Sequence, residues 1–334
     1  MNADAARWQP TAEIHVLRQR AAALAAAREF FATRNVLETE TPHLVEHPVS
    51  EPQLANVRCS LAVRPARRYY LHTSPEYHMK RLLAAGAPDI YQISKVFRDG
   101  EFGPRHLPEF TLVEWYRRNI TLDDMIGEAC DLVRTIGLRL GRHIGTPNRH
   151  DYRELFIRFA GIDPLAADTP AVRDRALQLL PAEDGKDLAH SLQDDRSAWL
   201  DLLMVRIIEP ALRPSGLTVI ERYPAEQAAL ARRDPRNPAL AARFEIYLDG
   251  LELANGYHEL ANAREQRLRF DADRVRRRSL GLPDVEPDMA LLAALESGLP
   301  NCCGTALGFD RLLMACLGIE RISRVVSFTI PSDD

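Results

Sequence analysis

The segment between residues 98 and 117 combines an arginine with aromatic and acidic side chains. Its second half alternates as a half-buried strand does, so residues of one parity share a face. That face carries Phe110, Leu112, Glu114 and Tyr116. An arginine such as Arg98 binds phosphate or carboxylate in a bidentate manner, and an aromatic ring stacks on a nucleobase. The segment therefore suits a nucleotide, and an exposed sheet face with a surface ion pair is the alternative.

A second candidate is the acidic segment from Glu252 to Glu259. Its two carboxylates are seven residues apart and follow a predicted hairpin, and Asn255-Gly256 between them predicts a tight bend. Carboxylate oxygens are the ligands that magnesium prefers, and magnesium in turn binds substrate phosphates. The alternative is a pair of solvated surface glutamates.

A third candidate is the glycine-rich segment from Gly304 to Arg311. Its glycines predict a turn that lets backbone approach a ligand, and the following helix would offer free N–H groups to an anion. An ordinary helix start with Asp310 as N-cap is the alternative. Together the three segments predict nucleotide chemistry, although the chain has neither G-x-x-x-x-G-K-S/T nor G-x-G-x-x-G after a strand.

An antiparallel sheet would position these residues. Hydrophobic alternation predicts strands at 36–41, 69–71, 89–98, 109–117, 217–222, 244–248 and 251–254. Helical spacing and capping residues predict helices over 11–34, from 74, over 121–140, through 151–209 with breaks at prolines, up to 278 and from 311. Because hairpins join most strands and helices lie between them, the predicted fold class is α+β.

Composition limits the class of protein. The 334 residues include 47 acidic and 43 basic side chains, a net charge of −4 that argues against a chain built to wrap nucleic acid. Five cysteines without a C-x-x-C pair predict no disulfide framework and no zinc ribbon. No apolar run is long enough to span a bilayer. These features predict a reduced, cytoplasmic protein.

The three segments resemble motifs of the class II aminoacyl-tRNA synthetases, specifically the lysyl branch. The matching segments are Glu40-Thr41-Pro42 for motif 1, Phe97 to Phe110 for motif 2, Gly304 to Arg311 for motif 3, and Glu252 to Leu260 for the magnesium segment. The resemblance implies an antiparallel sheet flanked by helices. It also implies one catalytic domain over residues 1–334 without an anticodon-binding domain, because few residues precede Pro42.

The resemblance implies a role for each matching residue. The residues expected to bind ATP are Arg98, Asp99, Gly100, Leu107, Phe110, Glu252, Leu253, Gly308 and Arg311. Those expected to bind the amino acid are Ser74, Pro75, Glu76, Glu114, Tyr116, Asn255, Glu259 and Ala306. Arg98 and Arg311 would be catalytic through their positive charge, and Glu252 and Glu259 would hold Mg²⁺.

The implied reaction has two steps. A carboxylate of lysine or (R)-β-lysine attacks the α-phosphorus of ATP, and the acyl-adenylate then acylates an amine. Ser74 and Ala306 replace the alanine and glycine of the lysyl enzymes, which makes a shifted amino group plausible. The expected acceptor is a lysine ε-amine of elongation factor P, with no tRNA and no membrane involved. Pairing through motif 1 implies a homodimer.

The motif 2 match departs from the family in two places. The family has Arg-Asn-Glu where this chain has Arg98-Asp99-Gly100, with Glu101 one step later, and it has asparagine where Leu107 stands. Both changes touch the adenine side of the expected pocket, so backbone groups or Glu101 would read the base. A ligase acting on tRNA or a small amine and a non-catalytic regulatory paralogue remain as alternatives.

Three further patterns favour structural interpretations. His43 to His47 spells H-x-x-E-H, but prolines bracket it, and a zinc-binding helix is not expected there. The arginine-rich helix 264–278 is predicted to be a solvated amphipathic face with Leu268 and Val275 in the core. Cys302-Cys303 is predicted to be a buried pair.

Overall fold

A computed structural model describes residues 8–181 and 188–330. Its strands are β1 (Leu37–Glu38), β2 (Leu44–Val45), β3 (Arg58–Cys59), β4 (Tyr69–Leu71), β5 (Ile90–Phe97), β6 (Glu109–Arg118), β7 (Asn148–Asp151), β8 (Leu217–Glu221), β9 (Arg233–Asp234), β10 (Asn237–Ala241), β11 (Arg243–Leu248), β12 (Leu251–His258) and β13 (Cys302–Gly308).

Helices lie between these strands, and most begin at a side-chain cap. They are α1 (Ile14–Ala32), α2 (Glu76–Ala84), α3 (Leu122–Arg139), α4 (Tyr152–Leu155), α5 (Thr169–Leu179), α6 (Arg196–Leu203), α7 (Glu209–Ala211), α8 (Ala263–Ser279), α9 (Met289–Gly298) and α10 (Phe309–Leu317). Helix α3 shows the pattern best, because Thr121 and Asp124 form a reciprocal capping box. Among the described residues, no helix combines the length and apolarity that a membrane span requires.

The main sheet has the order β1-β5-β6-β13-β12-β11-β8-β7. All neighbours are antiparallel except the two outer pairs, β1 with β5 and β7 with β8. Strand β13 is the last along the described chain, yet it lies between β6 and β12. The predicted α+β class with an antiparallel sheet flanked by helices is therefore confirmed, and this strand order brings the three candidate segments together.

One face of the sheet is covered by helices and forms the main core. Val113 and Trp115 of β6 are fully buried there with Phe31 of α1, Leu132 of α3 and Leu312 of α10. Strand parity then directs the alternate residues of β6 to the other face, as predicted. The odd-numbered residues Val113 and Trp115 of β6 are in the core, so the even-numbered residues of β6 are the ones that can line a site.

Two smaller cores position elements around that second face. The helical segment between β7 and β8 has its own core, in which Trp199 and Leu203 cluster with Tyr247 of β11. On the opposite side of the site, Met79 of α2 clusters with Leu292 of α9. These cores fix α2 and α6 at the rim of the sheet.

Several local predictions are wrong. Residues 304–308 form strand β13 and not a turn, and Gly308 rather than Asp310 is the N-cap of the next helix. The Asn255-Gly256 bend is absent, because 251–258 is one strand in which the Phe244 ring occupies the space that a side chain at Gly256 would need. Leu268 and Val275 are exposed, because α8 buries Gln266, Phe270 and Arg277 instead.

The other two structural interpretations hold. Residues 44–45 within H-x-x-E-H are a short strand, so the segment is not a helix. Cys302 and Cys303 are both buried free thiols.

Candidate active site

A cavity of about 400 Å³ opens on the second face of the sheet. Most residues that the sequence predicted for the site line it: Ser74, Glu76, Arg98, Leu107, Phe110, Glu114, Tyr116, Glu252, Leu253, Asn255, Glu259, Ala306, Gly308 and Arg311. Three predicted residues do not. Pro75 is the N-cap of α2, the Asp99 N–H donates to the Ala55 carbonyl, and Gly100 occupies a turn with φ 76°.

A β-bulge lets the acidic segment face the cavity. The register between β11 and β12 shifts at Tyr247, which pairs with Glu252, whereas Ile246 pairs with Ala254. Leu253 is therefore the extra residue, and Glu252 shares a face with Asn255 despite the opposite parity. Without the bulge, strand alternation would turn one of them away from the site.

Small residues on β13 form the floor of the cavity. Ala306 pairs with Glu114 of β6, and Gly304 pairs with Tyr116. A Cβ at Gly304 would overlap both the Tyr116 ring and Oε1 of Glu259. The floor must be this small for the acidic side chains beside it to fit.

One end of the cavity is cationic. The Arg98 guanidinium carbon lies 5.0 Å from the centre of the Phe110 ring, and Nη1 lies 3.4 Å from Oε1 of Glu101. The Arg98 Nε is buried and has no partner in the described structure. Arg98 thus keeps donor capacity for an anion, and the adjacent ring offers a flat surface to a base.

Arg311 forms the other part of this cationic end. Its Nη1 donates to Oε2 of Glu252 at 3.2 Å, and its Nη2 donates to Nε2 of His106 at 2.5 Å. Burial and the positive charge of Arg311 lower the pKa of His106. Neutral His106 can accept this hydrogen bond, so it orients Arg311 without adding a competing charge.

The opposite end of the cavity is acidic. Ser74 Oγ and Tyr116 OH each donate to Glu114 at 2.8 Å, and Glu114 is buried. Burial, reinforced by the charge of Glu76, raises the pKa of Glu114 to about 8. Burial makes the ionised form of Glu114 energetically unfavourable. A cation beside Glu114 would stabilise that ionised form, so this end of the cavity favours a cationic ligand group.

Lys80 is a further charged side chain at this end, and the sequence analysis did not assign it a role. Its Nζ lies 2.6 Å from Glu76 and 2.6 Å from Glu259. Burial alone would lower the pKa of Lys80, but the two carboxylates raise it above its ordinary value. Burial and Glu76 raise the pKa of Glu259 to about 7, while Lys80 opposes that shift. The i,i+4 spacing of Glu76 and Lys80 on one helix could have predicted this ion pair from the sequence.

The two glutamates predicted to hold Mg²⁺ pair with different cations in the structure. Glu252 pairs with Arg311, whereas Glu259 pairs with Lys80, and about 20 Å of strand separates the two positions at about 3.3 Å per residue. Within residues 8–181 and 188–330 no group of three or more acidic, histidine or cysteine side chains is arranged to hold a metal ion. Of these two glutamates, Glu252 is the one that lies beside Arg311.

Four further charged residues at the cavity lie on β11 or in the helical segment before β8. They are Asp201, Glu209, Arg243 and Glu245. Burial together with Glu252 and Glu245 raises the pKa of Glu209 to about 8. Arg243 and Glu245 are two residues apart on β11, and this spacing could have predicted that they share a face of the sheet. Nothing in the sequence predicted that α6 and α7 pack against the sheet.

Comparisons with known proteins agree with this geometry. A family model described as tRNA synthetases class II (D, K and N) matches residues 8–331. The chain belongs to this family of class II tRNA synthetases. Three of its relatives are named elongation factor P–(R)-β-lysine ligase. The one from Klebsiella pneumoniae (strain 342) is 43% identical over 331 residues, which cover 98% of each chain.

The other two relatives are similarly close. The Proteus mirabilis (strain HI4320) ligase is 42% identical over 97% of this chain and 98% of its own. The Haemophilus influenzae (strain PittGG) ligase is 41% identical over 97% of each chain. The likeness therefore extends over nearly the full length of all three relatives.

Proposed function

We propose that this chain is an ATP-dependent, AMP-forming ligase that activates (R)-β-lysine or lysine and transfers it to a lysine ε-amine of elongation factor P. The printed names of the relatives support the substrates. The observation that carries the proposal is a single cavity with Arg98 and Arg311 at one end and Glu76, Glu114 and Glu259 at the other. Such a cavity fits a polyphosphate and a diamino acid at the same time.

In the first step, the amino-acid carboxylate attacks the α-phosphorus of ATP and pyrophosphate leaves. Arg98 stabilises the charge that develops on the α-phosphate and the carboxylate, and Arg311 binds the terminal phosphates. Phe110 stacks on adenine, and the neighbouring backbone of Leu253 and Gly308 contacts the nucleotide. No covalent enzyme nucleophile is needed, because positioning and charge stabilisation are sufficient.

Mg²⁺ would be held by Glu252 together with phosphate oxygens, where it would neutralise charge on the leaving pyrophosphate. The donor set fits this use, since one carboxylate plus substrate phosphates is an ordinary magnesium arrangement. Glu259 instead serves the amino acid, because Lys80 already occupies it.

The acidic end binds the two ammonium groups of the amino acid. Among the described residues, Lys80 pairs with Glu76 and Glu259, and Glu114 pairs with no basic side chain, so this end is short of positive charge. Ser74 and Ala306 shape this end, since Ser74 holds Glu114 and Ala306 lies directly across from it. These contacts are the proposed source of preference for one position of the amino group.

We further propose a cytoplasmic enzyme that acts as a homodimer and has a protein rather than a tRNA as acceptor. The net charge of −4 supports a protein acceptor over RNA. Pairing through the motif 1 region around Pro42 is the arrangement that the family resemblance implies.

The proposal is tested by amino-acid-dependent ATP–pyrophosphate exchange with (R)-β-lysine and with lysine, followed by transfer to elongation factor P or to tRNA. Exchange with (R)-β-lysine or lysine and acylation of elongation factor P are expected. Absence of exchange with both amino acids would refute the enzyme, and charging of tRNA alone would refute the acceptor.

A further inference from the structure

Asn255 lies in a row with two residues of the acidic end of the cavity. The register pairs Asn255 of β12 with Ala306 of β13, and Ala306 with Glu114 of β6, and all three residues line the cavity. Two strand spacings, about 10 Å in all, therefore separate Asn255 from Glu114. Only the methyl group of Ala306 stands between them, so an amino acid bound by its ammonium group at Glu114 can extend toward Asn255.

The orientation of the Asn255 amide decides what such an amino acid meets. One end of a side-chain amide is a carbonyl oxygen that only accepts hydrogen bonds, and the other end is an NH₂ group with two donors. The NH₂ end stabilises a substrate carboxylate, whereas the carbonyl end would repel it. A half-turn of the amide therefore exchanges a favourable contact for an unfavourable one.

Arg243 selects between these two orientations. Its Nε donates to Oδ1 of Asn255 at 3.3 Å, and a guanidinium group carries donors only. The reverse orientation would place the NH₂ hydrogens against the Arg243 N–H. On the other side of the amide, Nδ2 donates to the Tyr257 hydroxyl at 2.6 Å, but a hydroxyl both donates and accepts and would fit either orientation.

The Arg243 guanidinium is held in place independently of this amide. Its Nη2 lies 2.5 Å from Glu245, and its Nη1 donates to the Gln227 carbonyl at 2.6 Å. The guanidinium carbon lies 4.5 Å from the centre of the Tyr223 ring. Glu245 in turn accepts hydrogen bonds from the hydroxyls of Tyr223 and Tyr247. A group supported in this way presents its donor before a substrate arrives.

We infer that Arg243 is a positioning residue that orients the Asn255 amide toward the carboxylate of the amino acid, an inference that rests on the proposed function. Tyr257 accepts one Nδ2 hydrogen, and among the described residues no other acceptor uses the second. That second hydrogen is the one offered to the carboxylate. Arg243 thus acts through Asn255 on the binding of the amino acid and not on the binding of ATP.

The test begins with Arg243→Lys. The lysine ammonium can keep the ion pair with Glu245, but no donor then remains at the Nε position beside Asn255. The freed amide must be ordered by the substrate, so the KM for the amino acid in ATP–pyrophosphate exchange should rise by about three- to tenfold. The KM for ATP should stay within about twofold.

Arg149→Lys is the matched control. Arg149 lies on β7 of the same sheet and does not line the cavity. It also forms an ion pair with a glutamate, because its Nε and Nη2 donate to Glu221 at 2.7 and 2.6 Å. Arg149→Lys should leave the KM for the amino acid and the KM for ATP unchanged.

Two further measurements separate positioning from general structural support. In a protein that carries Asn255→Ala, adding Arg243→Lys should not raise the KM for the amino acid further, because the amide that Arg243 orients is gone. The second measurement is inhibition of exchange by the diamine in which hydrogen replaces the carboxylate of the amino acid. Arg243→Lys should not change this inhibition constant, because the diamine lacks the group that Nδ2 contacts.

Any of three results would overturn the role of Arg243. They are an unchanged KM for the amino acid in Arg243→Lys, a rise by the same factor in the Asn255→Ala protein, and a parallel rise of the inhibition constant of the diamine. The last two would mean that Arg243 supports the fold of the whole acidic end. Failure of the unmodified enzyme to activate either amino acid is a different result, since it would refute the proposed function itself.

Discussion

Lys80 and Glu259 form a buried ion pair, with Nζ 2.6 Å from Oε2 and side chains only 2% and 1% exposed. The same Nζ contacts Glu76, so one cation stands between two carboxylates of the amino-acid end. Removing one partner of such a pair leaves an uncompensated buried charge, which costs more than the pair itself contributes.

Lys80→Met should therefore lower the free energy of unfolding by about 3–5 kcal/mol, as measured by urea denaturation. Adding Glu259→Gln to Lys80→Met should restore part of that loss, because it removes the unpaired charge. A double variant that is destabilised by the sum of the two single effects would contradict the coupling.

Glu114→Gln should raise the KM for the amino acid by about tenfold or more and leave the KM for ATP nearly unchanged. The reason is that a hydrogen bond to a charged group contributes about 1.5–3 kcal/mol, and Glu114 lies at the acidic end away from Arg98. Glu109→Gln is the matched control, since Glu109 is on the same strand with a 48% exposed side chain. Equal rises in the KM for the amino acid and the KM for ATP would argue against separate amino-acid and ATP ends of the cavity.

Glu114 should also make stability depend on pH. Burial raises its pKa from 4.5 to about 8 in the folded state, so folding favours the protonated form. Its stabilising contribution is present at low pH and is lost as pH rises from about 4.5 to about 8. In urea unfolding, Glu114→Gln should gain stability relative to wild type across this interval and then level off. A difference that is independent of pH would exclude the shift.

Arg98→Lys should reduce the exchange rate by about 10²–10³-fold at saturating substrates, because a lysine cannot replace the bidentate contact to the α-phosphate. The circular dichroism spectrum should not change. Lys95→Ala is the control, as Lys95 is a half-exposed cation on β5 that pairs with Glu109 outside the cavity. If Arg98→Lys keeps the wild-type exchange rate, the bidentate contact of Arg98 is not needed for the chemical step.

The separation of Glu252 from Glu259 predicts different effects of neutralising each. Glu252→Gln should raise the Mg²⁺ concentration needed for half-maximal exchange, because it removes a protein ligand beside the phosphates. Glu259→Gln should leave that concentration unchanged and raise the KM for the amino acid. An equal change of magnesium dependence in both variants would indicate that Glu252 and Glu259 both hold Mg²⁺.

Strand parity made part of the site predictable from the sequence. The alternation of Phe110, Glu114 and Tyr116 with the apolar Val113 and Trp115 identified the cavity face correctly, because successive residues of a strand point to opposite faces. The Thr121 N-cap of α3 was also predictable, because a capping box depends on residues that are close together in the sequence.

Non-local pairing hid the rest of the site. The small residues 304–308 look like a turn in isolation, yet they form a central strand because β6 and β12 supply partners on both sides. The bulge at Leu253 depends on how β11 pairs with β12 and leaves no local signal. Asp201 and Glu209 reach the cavity only through the packing of a separate core.

The central place of β13 also has a consequence for biosynthesis. Because β6 and β12 are joined only by a strand that the ribosome makes nearly 200 residues after β6, neither end of the cavity can close on a nascent chain until that strand emerges. Such long-range closure is slow, and the waiting strand edges are exposed in the meantime. The nascent chain therefore lacks a formed cavity for most of the synthesis time, and the site is completed in one late event.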